Sequence, residues 1–373
     1  SLDWEGPAAS LVALADFNSQ QLSGDAKVAL RASGDISGPL INGEATVANG
    51  VYENFDSGTV LRGLSLALTG HNSQTVDFTL DANDGGKGHV SASGEVHLAK
   101  GAFPAISANA TFRNAHLVRR PEADMAFDGS LELAGPAFPP GSEAPLSLKG
   151  QLTTTLAEVR IPEQLSSSVA QIDVVEINGP SSRVTVEKST QIPVNLDVAL
   201  AFNEPLKVSG RGLDSLWDGN LKINGTADDP RIDGTLTSRR GTLDFAGKTF
   251  TLSKGAVRFL DRTPIDPDID TTLTYKRTDL TANVVVTGRS SAPDITLNSD
   301  PELPRDEILS RILFDKGAGE LSAMEAVQLA NTLAQLSGKG GFSGAGLLGS
   351  VQQALGLDVL RIVNEPTAAS LAY

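Results

Sequence analysis

Apolar and polar residues alternate with a period of two along most of this chain, most clearly in residues 225–261. Alternation bounded by turns that contain glycine predicts short antiparallel strands with one apolar face. We interpret this segment as three strands joined by two tight turns, at residues 246–248 and at residues 253–255. The sequence therefore predicts a β-meander here.

The same alternation in other segments predicts one apolar face that runs across many strands. The positions that we assign to this face are Val76, Phe78, Leu80, Val96, Leu98, Leu243, Phe245, Phe250, Leu252, Val257, Phe259, Leu280, Val284 and Val286. In a closed sandwich a second sheet covers such a face, whereas a single curled sheet leaves it lining a trough. The pattern alone does not choose between these two arrangements.

Part of the segment at residues 225–261 also occurs earlier in the chain. Five positions recur 191 residues later without a gap, and they are Gly34, Pro39, Ile41, Gly43 and Gly50 with their counterparts Gly225, Pro230, Ile232, Gly234 and Gly241. A weaker copy begins at Gly150. Repeated copies of one supersecondary unit along a chain predict a stacked or elongated β array.

The hydrophobic period changes after residue 300. An apolar stripe at helical spacing follows Pro304 and consists of Ile308, Leu309, Ile312 and Leu313. This spacing, with a proline near its start, predicts a helix. We therefore divide the chain into a β region at residues 1–300 and a helical cap region at residues 301–355. We expect the apolar stripe of the cap region to cover the end of the array, with binding of a partner as the alternative.

Two further helices are predicted in the cap region. One begins at Ser322, where Glu325 three residues later completes a capping-box pattern. Another short helix is predicted at residues 350–355, after a glycine-rich segment. We thus expect two to three short helices near the C-terminus of a mainly β protein.

Composition limits the classes of function. The chain has 373 residues with 40% hydrophobic, only 5% aromatic residues and 37 Gly, which suits many short strands and turns. A net charge of −15 argues against nucleic-acid binding and against simple electrostatic docking on anionic lipid. The negative charge does not exclude apolar contacts with lipid. No run approaches the roughly 18 apolar residues of a membrane-spanning helix.

The sequence contains few candidate residues for catalysis or metal binding. The absence of cysteine excludes a disulfide framework and a thiolate metal site. The carboxylates Asp261, Asp266, Asp268 and Asp270 do not have the spacing of an EF-hand loop. His89 and His97 are a weak alternative for a metal, and no G-x-S-x-G elbow appears. We therefore predict no catalytic residue, no metal and no cofactor, although a β-solenoid enzyme acting on carbohydrate stays an alternative.

The motifs near the C-terminus resemble those of a known protein family. Residues 300–314 (DPELPRDEILSRILF), residues 319–338 (GELSAMEAVQLANTLAQLSG) and residues 355–358 (LGLD) closely resemble the C-terminal domain of the TamB family. The upstream block at residues 230–270 follows the same pattern. The resemblance is strong from about residue 210 to residue 358 and rests on pattern alone before that.

The resemblance implies an elongated open β-taco, in which the apolar face assigned above lines a groove. It implies a non-enzymatic component of the translocation and assembly module, positioned in the periplasm and anchored in the inner membrane by an N-terminal segment, so we expect this chain to be a fragment. Its implied partners are an outer-membrane Omp85-class barrel (TamA-like), phospholipid acyl chains and outer-membrane protein clients. Its implied roles are assembly or secretion of outer-membrane proteins and phospholipid transport between the membranes. The alternative is a module that templates client strands by β-augmentation without conducting lipid.

The tail departs from the family pattern. Residues 356–373 (GLDVLRIVNEPTAASLAY) resemble a strand-loop-helix segment of a DnaK-type chaperone ATPase domain. The phosphate-binding loops of that fold do not appear elsewhere in the sequence, so nucleotide chemistry has no support. We interpret residues 356–373 as an atypical tail, produced either by an artefact of gene assembly or by an artificial junction.

Overall fold

The computed structural model describes residues 1–12, 19–35, 38–98, 104–136, 146–162, 194–245 and 247–336. They form one sheet of 17 strands. The first nine are β1 (Leu2–Pro7), β2 (Gln20–Asp35), β3 (Gly38–Asn54), β4 (Thr59–Ser73), β5 (Thr75–Asn83), β6 (His89–His97), β7 (Ala105–Arg119), β8 (Ala123–Pro136) and β9 (Leu146–Arg160). The others are β10 (Val194–Ala201), β11 (Leu206–Gly210), β12 (Leu213–Thr226), β13 (Pro230–Phe245), β14 (Lys248–Leu260), β15 (Asp268–Arg277), β16 (Leu280–Arg289) and β17 (Ala292–Asp300). The helices are α1 (Ala9–Val12), α2 (Arg305–Phe314) and α3 (Ala323–Leu336), with a 3₁₀ turn at Ala318–Glu320.

The strand order follows the chain. Successive strands pair antiparallel from β1 to β9 and again from β12 to β17. The two halves join where β9 pairs in parallel with both β10 and β11, and β12 pairs antiparallel with the same two strands. At about 4.8 Å per strand, the sheet extends about 70 Å in the hydrogen-bonding direction. The predicted mainly β, elongated array is confirmed.

The internal repeat has a structural counterpart in equivalent hairpins. Gly34 pairs with Pro39 between β2 and β3, and Gly225 pairs with Pro230 between β12 and β13. The φ angle is 86° at both Gly34 and Gly225. The first copy therefore starts at β2 and the second at β12, and the following strands correspond in order.

The predicted turn at residues 253–255 is wrong, because this segment lies inside β14. Ser253 is skipped in the pairing with β15, where Leu252 lies opposite Leu273 and Lys254 lies opposite Thr272. Such a β-bulge shifts the alternation of side chains by one residue. In the sequence this shift has the same appearance as a turn between two strands. Similar irregularities interrupt most of the long strands.

The helices near the C-terminus agree with the sequence pattern. Helix α2 follows Pro304, and α3 starts with a capping box in which the Ser322 N–H donates to Glu325 Oε2 at 2.7 Å. The Glu325 N–H donates back to Ser322 Oγ at 3.4 Å. The helix predicted at residues 350–355 lies outside the described residues. Within the described part of the chain, no helix is both long and apolar enough to cross a membrane.

Close strand approach at two repeated glycines gives a first prediction. Gly43 and Gly234 have φ angles of 121° and 131°, and an added Cβ would lie 2.0 Å from Ala29 O and 2.3 Å from Asn220 O. Since L-residues avoid this φ and the clash is with backbone, Gly43→Ala or Gly234→Ala should destabilise the fold by about 2 to 4 kcal/mol. Urea denaturation monitored by circular dichroism measures the change.

The control for this prediction is Gly319→Ala. An added Cβ at Gly319 meets no atom within 4 Å. The change in unfolding free energy should then stay within about 0.5 kcal/mol. Equal losses at all three glycines would contradict the steric explanation.

Candidate apolar binding face

One row of small and apolar residues crosses eleven strands in register. Each member lies directly opposite the next in the pairing of neighbouring strands. This central row consists of Ala26, Val47, Leu66, Leu80, Ala92, Ala110, Leu131, Gly150, Val198, Ile223 and Ile232. Because opposite residues share a face, the row shows that one side of the sheet is continuously apolar from β2 to β13.

The central row is only partly covered. Most of its members, including Leu66, Leu80 and Leu131, keep part of their surface accessible. All described strands belong to the same sheet, so no second sheet among them lies over the row. The residues next to the row members along each strand, such as Thr79 and Glu132, are exposed on the opposite face. The sheet thus has a polar outer face and an apolar inner face that is half open to solvent.

Burial on the inner face increases along the strands, toward the side of the sheet where one set of strand ends and their turns lie. We name this the closed edge; in the first copy it includes the turns at residues 55–58 and 84–88. Near it, exposure is low, at 8% for Leu61, 4% for Leu64, 6% for Val90 and 9% for Phe112. Toward the opposite, open edge, inner residues such as Val76, Val96 and Ile106 are only partly buried. The inner face is therefore a trough with one closed side.

Hydrogen bonds between distant strands hold the closed edge together. The Thr59 hydroxyl at the start of β4 donates to Leu117 O on β7 at 2.6 Å. The Arg119 N–H donates to Ser57 O at 2.8 Å, and the Arg120 guanidinium donates to Asp56 O. Strands β5 and β6 are shorter than β4 and β7, so β7 reaches across their ends to β4. This contact curls the sheet.

Asp84 is the buried polar centre of this edge, at 1% exposure. Its Oδ1 accepts from the N–H groups of Gly86 at 2.8 Å and Gly88 at 2.9 Å, and its Oδ2 accepts from the His116 N–H at 3.3 Å. Arg119 Nη2 lies 3.5 Å from Oδ2. Burial alone raises the pKa of Asp84, but these hydrogen bonds and the Arg119 charge outweigh it, so the pKa is lowered. The ionised carboxylate links the β5–β6 turn to β7.

The predicted lining residues share the inner face but fall into two environments. Val76, Phe78, Leu80, Val96, Leu98, Val257, Phe259 and Val284 are partly buried. Leu243, Phe245, Phe250, Leu252, Leu280 and Val286 are 8% exposed or less. Leu98 lies just beyond the end of β6. The prediction that they line a functional groove stays a prediction, which the structure refines by separating an accessible part from a covered part.

Sequence reasoning missed the small residues of the inner face between β6 and β9. Ala92, Ala108, Ala110 and Gly150 lie beside larger residues such as Leu131 in the register. Small and polar residues alternate there as well, but alanine and glycine mark an apolar face less clearly than large side chains do. These small residues leave this part of the inner face with fewer large side chains.

Helix α2 covers the inner face of the second copy. Ile308, Leu309 and Ile312 are 0%, 3% and 2% exposed, and Leu313 packs partly buried beside them. Ile308 and Ile312 belong to one cluster with inner-face residues of β13 to β16. The sheet members that we name the α2 floor are Phe245, Phe250, Leu280 and Ala282. The predicted stripe is thus buried on the sheet, and its role as a cap stays a prediction.

Ion pairs flank α2. Asp315 accepts from Lys248 Nζ at 2.5 Å and from Arg277 Nη1 at 3.2 Å, and Arg311 lies 3.5 Å from Asp279. The hydrogen bond from Lys248, followed by Arg277, lowers the pKa of Asp315. The hydrogen bond from Arg277 lowers the pKa of Asp279 to about 2. Both carboxylates therefore stay ionised at neutral pH.

The weak metal alternatives do not converge. His89 and His97 lie at the two ends of the same strand, β6, rather than across a strand pair. Asp266 accepts from Ser290 and Ser291, and Asp270 pairs with Lys254 at 2.7 Å. Within the described residues, no cluster of three or more His, Asp or Glu has the geometry to hold a metal ion.

Comparison with known proteins agrees with this architecture. The family model described as "TamB C-terminal domain" matches residues 77–371, which includes most of the tail interpreted above as atypical. The chain is also similar to the protein named translocation and assembly module subunit TamB from Haemophilus influenzae, with 20% identity over 371 residues. That similarity covers 92% of this chain and 27% of the relative, so the chain spans about a quarter of its length. Since the family model matches most of the chain, this protein belongs to the TamB C-terminal domain family.

Proposed function

We propose that this chain is the C-terminal part of a non-enzymatic component of the translocation and assembly module. Its inner face carries phospholipid acyl chains between the inner and outer membranes, in support of outer-membrane biogenesis and the assembly or secretion of outer-membrane proteins. It works in the periplasm, with an inner-membrane anchor outside this chain and an Omp85-class barrel as its partner. Family membership supports the module and its location.

One observation carries the lipid part of the proposal: the central row is continuous across eleven strands and only partly covered. Removing apolar surface from water gains roughly 0.8 kcal/mol per CH₂ group. An acyl chain lying along this row gains that energy at every strand it crosses, so no single pocket has to hold it. The inner face is half open to solvent, so the headgroup can stay in water there, while the polar outer face keeps the protein itself hydrated.

A photo-crosslinking scan tests the proposal. Benzophenone residues are placed on the inner face at Leu68, Phe78 and Leu133, and on the outer face at Thr79 and Glu132 as matched neighbours. The chain is irradiated after expression in the periplasm of a host bacterium. We expect phospholipid adducts, identified by mass spectrometry, at the inner positions alone. Equal labelling of both faces, or no labelling at all, would exclude a lipid path.

The alternative, β-augmentation, is favoured by one observation. Among the described residues, β17 pairs with β16 on one side only, whereas its first-copy counterpart β7 is paired on its other side by β8. An added strand would resemble β8 in its apolar alternation. A synthetic peptide of residues 123–136 would then protect β17 from hydrogen exchange. Its binding would be unchanged by a charge on the central part of the inner face, which distinguishes the two functions.

A further inference from the structure

The two copies close the same edge of the trough with different elements. In the first copy the distal half of β7 does so, through Ala115 at 0% exposure and Leu117. Ile308 of α2 lies 191 residues after Leu117, which is the repeat offset. Helix α2 therefore stands where the second copy would otherwise continue a strand.

The two closures are held in different ways. In the first copy the backbone takes part, since Leu117 O accepts from Thr59 and Ser57 O accepts from the Arg119 N–H. At the position 191 residues after Ser57, the side chain of Lys248 instead meets Asp315 after α2. Within the described residues, the hydrogen bonds and ion pairs that join α2 and its C-cap to the sheet are all between side chains. Displacing α2 thus breaks no strand pairing.

We propose that the α2 floor is a terminal acyl-chain site and that α2 occupies it as an exchangeable plug. This inference rests on the proposed function. The apolar stripe of α2 offers the floor the same contact that a hydrocarbon chain offers, since apolar burial is not directional. The floor continues the inner face of β12 to β16, so a lipid that moves along the trough reaches α2. Release of α2 extends the path to the closed edge of the second copy.

The first arm of the experiment locks the plug. The chain lacks cysteine, so Lys248→Cys combined with Asp315→Cys gives one defined pair for a short, reducible bismaleimide crosslinker. A benzophenone residue replaces Tyr275, which packs beside Phe250 with ring centroids 5.5 Å apart. A second protein carries benzophenone at Phe78, in the accessible part of the first copy, as the reference.

The locked and reduced proteins are then compared after exposure to vesicles of phosphatidylethanolamine and phosphatidylglycerol. Locking should lower lipid labelling at residue 275 by about tenfold and leave labelling at residue 78 unchanged. Reduction of the crosslinker should restore labelling at residue 275. Equal labelling at residue 275 in the locked and reduced states would overturn the plug.

The second arm loosens the plug with Asp315→Asn. Asp315 has a φ angle of 58°, which asparagine adopts readily, so the C-cap is kept while the ionic ties to Lys248 and Arg277 are lost. Labelling at residue 275 should rise by about threefold, as expected for the loss of exposed ion pairs. Labelling at residue 78 but never at residue 275 would reject the site while keeping the proposed function. Labelling at neither position would reject both.

Discussion

Replacing Phe78 with aspartate is expected to reduce the phospholipid bound by the chain by about tenfold or more, because a carboxylate beneath a bound acyl chain loses its hydration. Phe78 lies on the inner face between Leu68 and Gly94 and is only partly buried. In the lipid-free protein the new carboxylate stays in contact with water, so the sheet should remain folded. Lipid that co-purifies with the chain is quantified by mass spectrometry.

The matched control for this change is Thr79→Asp. Thr79 is the next residue on the same strand and is exposed on the outer face, so it adds the same charge without touching the lipid path. We expect unchanged lipid content. Val284 is less suited to the test because it packs against two buried clusters, and a charge there would mix folding with binding. Full lipid loading of the Phe78 variant would contradict a path along the inner face.

The largest expected effect on stability is that of Asp84→Ala, a loss of about 3 to 5 kcal/mol in unfolding free energy. The change leaves the N–H groups of Gly86 and Gly88 in the turn and of His116 on β7 without the buried carboxylate that accepts from them. It also removes the carboxylate that pairs with Arg119. Chemical denaturation monitored by circular dichroism gives the value.

Asp81→Ala is the control on the same strand. The Asp81 side chain is 62% exposed and pairs with His89 at 3.0 Å, and surface ion pairs of this kind contribute about 0 to 1 kcal/mol. Similar losses in the two variants would show that Asp84 has no special role in the closed edge.

The pH dependence gives a second check on Asp84. Because the folded pKa is lowered, its contribution to stability is complete above the ordinary Asp pKa of about 3.9. It is lost as the pH falls through the lowered value, since protonation removes the charge that the N–H groups and Arg119 stabilise. The wild-type chain should therefore lose stability below this pH, and Asp84→Asn should lack that component.

Local pattern was enough to locate most strands, and it failed where a bulge imitated a turn. In β14, Leu252 and Val257 lie on the same face although five positions separate them, because Ser253 is an extra residue. A phase shift of one in the alternation fits either two strands or one bulged strand. The pairing of β14 with β15 decides between them, and that pairing involves residues distant in sequence.

The candidate face could be predicted only in part for a similar reason. Phe78 and Leu80 stand out by size, whereas Ala92 and Ala110 become recognisable as members of the same row only through the strand register. The environment of each residue also depends on remote elements. Phe250 is 3% exposed inside the cluster that also holds Ile308 and Ile312 of α2, while Phe259 on the same strand stays partly accessible.

The sequence by itself determined which side of each strand is apolar, the repeat at 191 residues and where the helices near the C-terminus begin. These features follow from neighbouring residues and their backbone preferences. The tertiary structure decided that one sheet curls into a trough with a closed edge and that α2 lies on the inner face. Those features depend on contacts such as Thr59 with Leu117 and Lys248 with Asp315, which join residues 58 and 67 positions apart. Side-chain alternation is a local property of a strand, whereas what covers its apolar side is set by chain segments far away.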